Sequence, residues 1–310
     1  MSKKTPFTRA STAPRQRPGG QARPKTPAKG SAVKRARGRS NRTTWVVVAV
    51  LVVLGASLIA AVAGGRGSSS GTSGSASQPA PASLVQQVST VPAGVFDQIG
   101  AGTAQKLPQS VSAPALTSAG KPRIVYLGAE YCPYCATERW PMVVALSRFG
   151  TFTGLRVTHS ASNDVYPNTP TFSFHGATYQ SPYLAFDAVE LETNQLVNGT
   201  YKKLDTATPE EQQLMRTYDV PPYTSTAGAI PFIDFGGRFL VLGATYDPQL
   251  LQNRTAAAIG SALSDPSNPA TQGIVGTANT LTAAICTLTN NQPGAVCATP
   301  AITSLEARLH

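Results

Sequence analysis

The chain has 310 residues, 41% of them hydrophobic, a net charge of +11 and four cysteines. So few cysteines in so long a chain exclude a disulfide-dense scaffold, and the length allows a substantial apolar core. The charge does not describe the folded part: residues 1–42 hold 13 of the 26 Lys and Arg and no acid, and the other 13 face all 15 acids, a net of −2.

Residues 1–42 are dominated by Pro, Gly, Ser and Arg and are predicted to be disordered. Such a basic tail reads either as a nucleic-acid arm or as a topology determinant lying on anionic lipid, and the apolar run directly after it favours lipid, with no nucleic-acid partner. From Trp45 to Ala63 run 19 residues without a charge. As a helix they span roughly 28 Å, close to the hydrocarbon thickness of a bilayer. Lys34, Arg35, Arg37, Arg39 and Arg42 crowd the N-terminal flank, against Arg66 on the other side. The positive-inside rule then predicts a single-pass protein of the cell membrane, N-terminus cytoplasmic and C-terminal domain extracytoplasmic. Ala61-Val62-Ala63 also offers a signal-peptide cleavage sequence, but the long basic region and the 19-residue apolar run favour an uncleaved anchor. The Gly, Ser, Ala and Pro of residues 64–83 predict a flexible linker.

The globular unit is predicted over 84–310, opening with a helical arm in 84–117. Arg123–Leu127 reads as an apolar strand bounded by Gly128. Cys132-Pro133-Tyr134-Cys135 then starts a helix, with Pro133 in the first turn, where it is tolerated, and a kink expected at Pro141. Leu155–His159 reads as the returning strand of a βαβ unit, placing the cysteines beyond the carboxyl end of a strand, where reaction sites gather. An insertion of about 160–226 carries Tyr166, Phe172, Phe174, Tyr179, Tyr183 and Phe186, which either form an aromatic lid over the cysteines or cover the sheet. Within it Phe172–Phe174 and Tyr183–Phe186 read as short strands, and Thr208-Pro209-Glu210-Glu211 is a capping box opening a helix to about Tyr218. Ile230-Pro231 enters a strand to Phe235, Gly236-Gly237 makes a two-residue turn, and Arg238–Gly243 returns. A helix is expected near Pro248–Leu263. Cys286 and Cys297 bracket a short loop and, in an oxidising exterior, predict a structural disulfide in preference to a second relay pair.

Two thiols three residues apart at a helix start share one face of its first turn. The leading sulfur lies over unsatisfied backbone N–H groups at the positive end of the helix dipole, which favours thiolate over thiol. The same spacing serves half of a zinc site, but there is no second close cysteine pair, and His159, His175 and His310 lack ligand spacing. No metal or organic cofactor is expected. Cys132 is the expected exposed attacking thiolate and Cys135 the buried resolving thiol. Glu130 is a candidate proton shuttle or simply a solvated carboxylate.

A CxxC at a strand–helix turn, a proline opening a hairpin and a following helix resemble the thioredoxin fold over roughly 121–264, whose hallmark is a cis-proline loop facing the dithiol. The Pro-Tyr dipeptide between the cysteines is typical of glutaredoxins. Two features depart from the pattern: 96 residues separate Cys135 from Pro231, which implies the insertion, and Tyr131 stands where thioredoxins carry tryptophan. More specifically, Gly128–Cys135, Arg139-Trp140, Ser147–Gly150, Asp164–Phe172 and the terminal cysteine pair look like a domain-of-unknown-function family of membrane-anchored, thioredoxin-like prokaryotic proteins. The resemblance implies an α/β, thioredoxin-like fold with an insertion between the CxxC helix and the cis-proline strand, preceded by one transmembrane helix. It implies too that Ile230 presents its backbone to a substrate chain and that Pro231 keeps a loop N–H away from the sulfurs. Tyr131 and Tyr134, which flank Cys132, join Ile230 and Pro231 as the expected substrate-binding residues.

The expected activity is thiol–disulfide exchange on exported cysteine-containing proteins, with a membrane redox partner to recycle the dithiol. The competing class is a non-enzymatic, membrane-tethered thioredoxin-like binding module in which Cys132–Cys135 is a locked structural bond.

Overall fold

The computed structural model describes Gly74 and residues 76–309; the basic tail, the apolar run of 45–63 and most of the expected linker lie outside the described residues. Among the described residues no helix is long and apolar enough to cross a membrane. They form a mixed α/β fold with several sheets. The fold begins inside the expected linker: β1 (Gln78–Pro79) pairs antiparallel with Val157 and Arg156, and Ser77 is buried. The expected helical arm is α1 (Ala82–Ser89) and α2 (Ala93–Ile99), which turn Leu84, Val88, Val95, Phe96 and Ile99 into the core.

After two short strands, β2 (Gln109–Ser110) and β3 (Thr117–Ser118), comes the central strand β4 (Lys121–Gly128). From Arg123 onward every residue of β4 is buried, as a strand covered on both faces requires. It feeds α3 (Pro133–Leu146), buried along nearly its whole length. Then follow β5 (Thr151–Thr153), β6 (Arg156–His159), β7 (Pro170–Ser173), β8 (Thr178–Gln180) and β9 (Ala185–Glu190).

The strand that returns beside β4 is β9 and not the expected 155–159. β9 pairs parallel with β4 from Arg123↔Ala185 to Gly128↔Glu190, whereas β6 lies between β1 and β7 in a separate antiparallel sheet. Arg156, Thr158 and His159 suit a half-covered antiparallel strand; the place beside β4 takes Ala188 and Val189 instead. Tyr183–Phe186, expected as an accessory strand of the insertion, therefore leads into the central sheet.

β10 (Glu192–Val197) and β11 (Thr200–Lys203) form a hairpin whose Asn198-Gly199 turn has positive φ at both residues, as an Asn-Gly turn favours. The expected capping box is present: Thr208 and Glu211 cap α4 (Pro209–Tyr218) reciprocally. β12 (Phe232–Phe235) pairs antiparallel with β4, and β13 (Phe239–Leu242) pairs with β12. Their turn is one residue longer than expected, Gly236-Gly237-Arg238, since Phe235 pairs with Phe239. Gly237, at φ 70°, approaches the Pro114 carbonyl so closely that a Cβ would lie 2.2 Å from it.

The helix expected at 248–263 is broken into a 3-10 turn (Pro248–Leu251) and α5 (Ala256–Ala262), the latter capped by Thr255. α6 (Pro269–Leu288) then packs on α3, almost wholly buried from Ala270 to Cys286. α7 (Gly294–Cys297) and α8 (Pro300–Glu306) end the described chain. Cys286 and Cys297 form a disulfide joining α6 to α7, with Cα atoms 5.6 Å apart.

Candidate functional site

β4 ends at Gly128, and the chain turns through Ala129-Glu130-Tyr131 into Cys132, the N-cap of α3. The turn is held from two sides: Glu130 N–H donates to Glu192 O at 2.8 Å, and Ala161 N–H donates to Tyr131 O at 2.8 Å. Cys132 Sγ accepts the Cys135 N–H at 3.2 Å, the role an oxygen plays in an ordinary cap. Its thiol also faces the Ile230 carbonyl, 3.6 Å away. The Ile230–Pro231 peptide bond is cis, and Gly243 N–H donates to Pro231 O, tying this loop to the end of β13. Cys132 and Cys135 are both free thiols.

Cys132 is less open than expected. It is 5% exposed and packs with Ala129 and Cys135 among the half-buried Tyr131, Tyr134 and Ile230. The cover comes from neighbouring loops and strands: Tyr131 stacks on Tyr201 of β11 at 4.2 Å between ring centres, and Tyr134 meets Tyr166 edge-on at 5.9 Å. The two readings of the insertion's aromatics thus divide among residues. Tyr166 reaches the site, whereas Phe174, Tyr179 and Phe186 pack with Phe152 in a separate ring cluster. Beside the dithiol opens a cleft of about 400 Å³, lined by Ala129, Tyr131 and Ile230 on one side and by Leu191, Glu192 and Lys203 on the other.

Cys135 is fully buried. Burial pushes its thiol well above the ordinary range, reinforced by Cys132 and opposed by the Arg139 charge and the Ala129 backbone. Glu130, expected as a shuttle or a solvated carboxylate, is 1% exposed, and its Oε1 has no hydrogen-bond partner. Behind the cysteines lies an ion pair between Arg139 and Glu190, both fully buried. Arg139 Nε donates to Glu190 Oε1 at 2.8 Å, and Nη2 donates to Ala129 O at 2.7 Å. Neither Glu190 nor Tyr201 is among the expected site residues; the Asn-Gly hairpin signal could have placed Tyr201 on a strand. His175 pairs with Asp205 at 2.7 Å, and His159 Nδ1 lies 2.8 Å from Ser160 O. Among the described residues no group of three or more His, Cys, Asp or Glu could hold a metal ion.

Fold and site define a mixed α/β protein carrying a free cysteine pair at a helix N-terminus, facing a loop with a cis X–Pro bond. The chain belongs to the family described as Domain of unknown function (DUF929), whose model matches residues 108–287 and so spans both thiols and Ile230-Pro231. No curated protein and no solved structure matches the chain.

Proposed function

We propose that this protein is a thiol–disulfide oxidoreductase of thioredoxin-like fold, anchored in the cell membrane with its domain outside, acting on exported cysteine-containing proteins. The observation that carries the reading is Cys132 as helix cap, its sulfur between the Cys135 N–H and the Ile230 carbonyl. The order β4–α3–β9–α4–β12–β13, interrupted by β5–β8 after α3 and by β10–β11 after β9, supports the thioredoxin-like assignment, with β9 parallel and β12 antiparallel to β4 and a cis proline at the entry to β12. Anchoring and orientation rest on the uncharged run from Trp45 to Ala63 and its basic N-terminal flank.

In this reading the Cys132 thiolate attacks a substrate disulfide, forming a mixed disulfide and expelling one substrate thiolate. Cys135 then attacks Cys132, releases the second substrate thiolate and leaves the pair oxidised. A membrane redox partner restores the dithiol, and the same steps in reverse oxidise a substrate dithiol. The Tyr131–Ile230 side of the cleft receives the substrate chain. Exchange is favoured over a locked bond because both thiols are free in a structure whose other cysteine pair is bonded.

The test is trapping in intact membranes with the full chain. Cys135→Ala is expected to accumulate mixed disulfides with exported proteins, visible under non-reducing conditions, and Cys132→Ala to show none. Adducts on Cys135 in the Cys132→Ala chain, or none in either, count against the assignment. A C-terminal reporter active only in the cytoplasm should stay silent; a signal would overturn the orientation.

A further inference from the structure

Arg139 lies four residues beyond Cys135 on α3, so the two share a helix face. Apolar residues in place of a buried ion pair are often no less stable, so the pair with Glu190 is not explained by stability alone. Its surroundings suggest another reason. Ala129 accepts from Arg139 Nη2 through its carbonyl and packs against both cysteines. Arg139 Nη1 is buried without a hydrogen-bond partner, as is the hydroxyl of Tyr126, whose ring lies 5.8 Å from the guanidinium. The charged and titratable groups around Cys135 are Cys132 and Arg139 on α3, Tyr126 on β4, Glu130 and Tyr131 on the turn, and Glu190 on β9. Only Arg139 among them is a cation.

Resolving a mixed disulfide requires an anion at Cys135, whose side chain is fully buried. An unpaired charge there would be strongly disfavoured. A guanidinium locked by one carboxylate and holding a spare N–H donor meets that need. We propose that Arg139, held by Glu190, is the positioning residue that stabilises the Cys135 thiolate while the mixed disulfide on Cys132 is resolved. This inference rests on the exchange reading above. In the step, Cys135 gives its proton to water and its sulfur attacks Cys132 Sγ. The Cys132–Cys135 bond forms, the Cys132–substrate bond breaks, and the departing thiolate takes the electron pair. The substrate disulfide is the oxidant.

The test uses the full chain in detergent and a symmetric nitroaryl disulfide, whose first coloured thiolate reports attack by Cys132 and whose second reports resolution by Cys135. Arg139→Met with Glu190→Gln removes both charges of the pair together, so neither partner is left as a lone buried ion. Attack should then change by less than about twofold, while resolution at pH 7 slows about tenfold and its pH profile moves up by about one unit. Arg139→Lys keeps a charge without the planar fork and should move the profile less, in the same direction. Unmoved resolution profiles in both variants, or equal loss of both phases without a pH shift, overturn the inference while the exchange reading stands. A native chain that releases neither thiolate overturns both.

Discussion

The two cysteine pairs of this chain are almost equally buried, yet they are in different chemical states. Cys286, in the last turn of α6, is bonded to Cys297, and neither is more than 1% exposed. Cys132 and Cys135, 5% and 0% exposed, remain free. Burial therefore does not separate them; position on a helix does. Near a helix C-terminus the dipole and the orphan carbonyls disfavour a thiolate, whereas the N-cap position of Cys132 offers its sulfur a backbone N–H. A cleft also opens beside the first pair, lined by the neighbouring Ala129, Tyr131 and Ile230. The comparison teaches that one residue type is bonded in one place and free in another, with different backbone groups facing it.

The largest effect should come from exchanging the two pairs' fates. Cys132→Ala is expected to reduce exchange with a small disulfide to the uncatalysed rate, while Cys286→Ala with Cys297→Ala keeps it within about threefold, as stopped-flow thiol release would show. Loss of exchange in the second variant, with the fold intact, would erase the distinction.

Next in size is a pH effect beside the dithiol helix. Glu138 on α3 accepts from Thr245 N–H at 3.0 Å and from the Thr245 hydroxyl, and burial raises its pKa to about 7 from 4.5. Between those values the folded chain keeps a proton that the unfolded chain has released, so stability falls as pH rises from about 4.5 to about 7. The contribution is fully present below 4.5 and lost through 7, on the order of 3 kcal/mol. Asp219 and Asp234, both raised to about 6 by burial, act in the same direction. Denaturant unfolding should show Glu138→Gln gaining on the native chain by about 3 kcal/mol between pH 4.5 and 8. A constant difference across that range would remove Glu138 as the cause.

Removing the Cys286–Cys297 disulfide should cost about 2–3 kcal/mol, the scale of a short closed loop, and lower the midpoint of the same unfolding curve. The smallest effect is at the cover of the dithiol. Tyr201→Ala deletes the ring stacked on Tyr131, a contact of about 1 kcal/mol, and should speed alkylation of Cys132 a few-fold while leaving Cys286 and Cys297 bonded. Unchanged labelling would mean that Tyr201 does not limit access.

Much of the site's frame is legible in the sequence because its signals are local. Pro133 marks a helix start, Thr208 to Glu211 a capping box, and the apolar runs either side of Gly236-Gly237 a hairpin. What escapes such reading depends on distant partners. β9 reads as part of the insertion because its short apolar stretch resembles an accessory strand until β4 is beside it. α6 shows little amphipathic contrast, with Gly, Thr and Ala all round, since it is covered on every side. Arg139 is visible in the sequence but its role is not: Glu190 lies 51 residues away, and only the fold brings them together.

The most direct test of the central claim is a redox titration of the full chain in glutathione buffers, reading each cysteine pair by differential alkylation and mass spectrometry. The account predicts that Cys132–Cys135 titrates between about −270 and −120 mV while Cys286–Cys297 stays oxidised down to below about −300 mV. A Cys132–Cys135 couple that also lies below about −300 mV would contradict it and make both pairs staples.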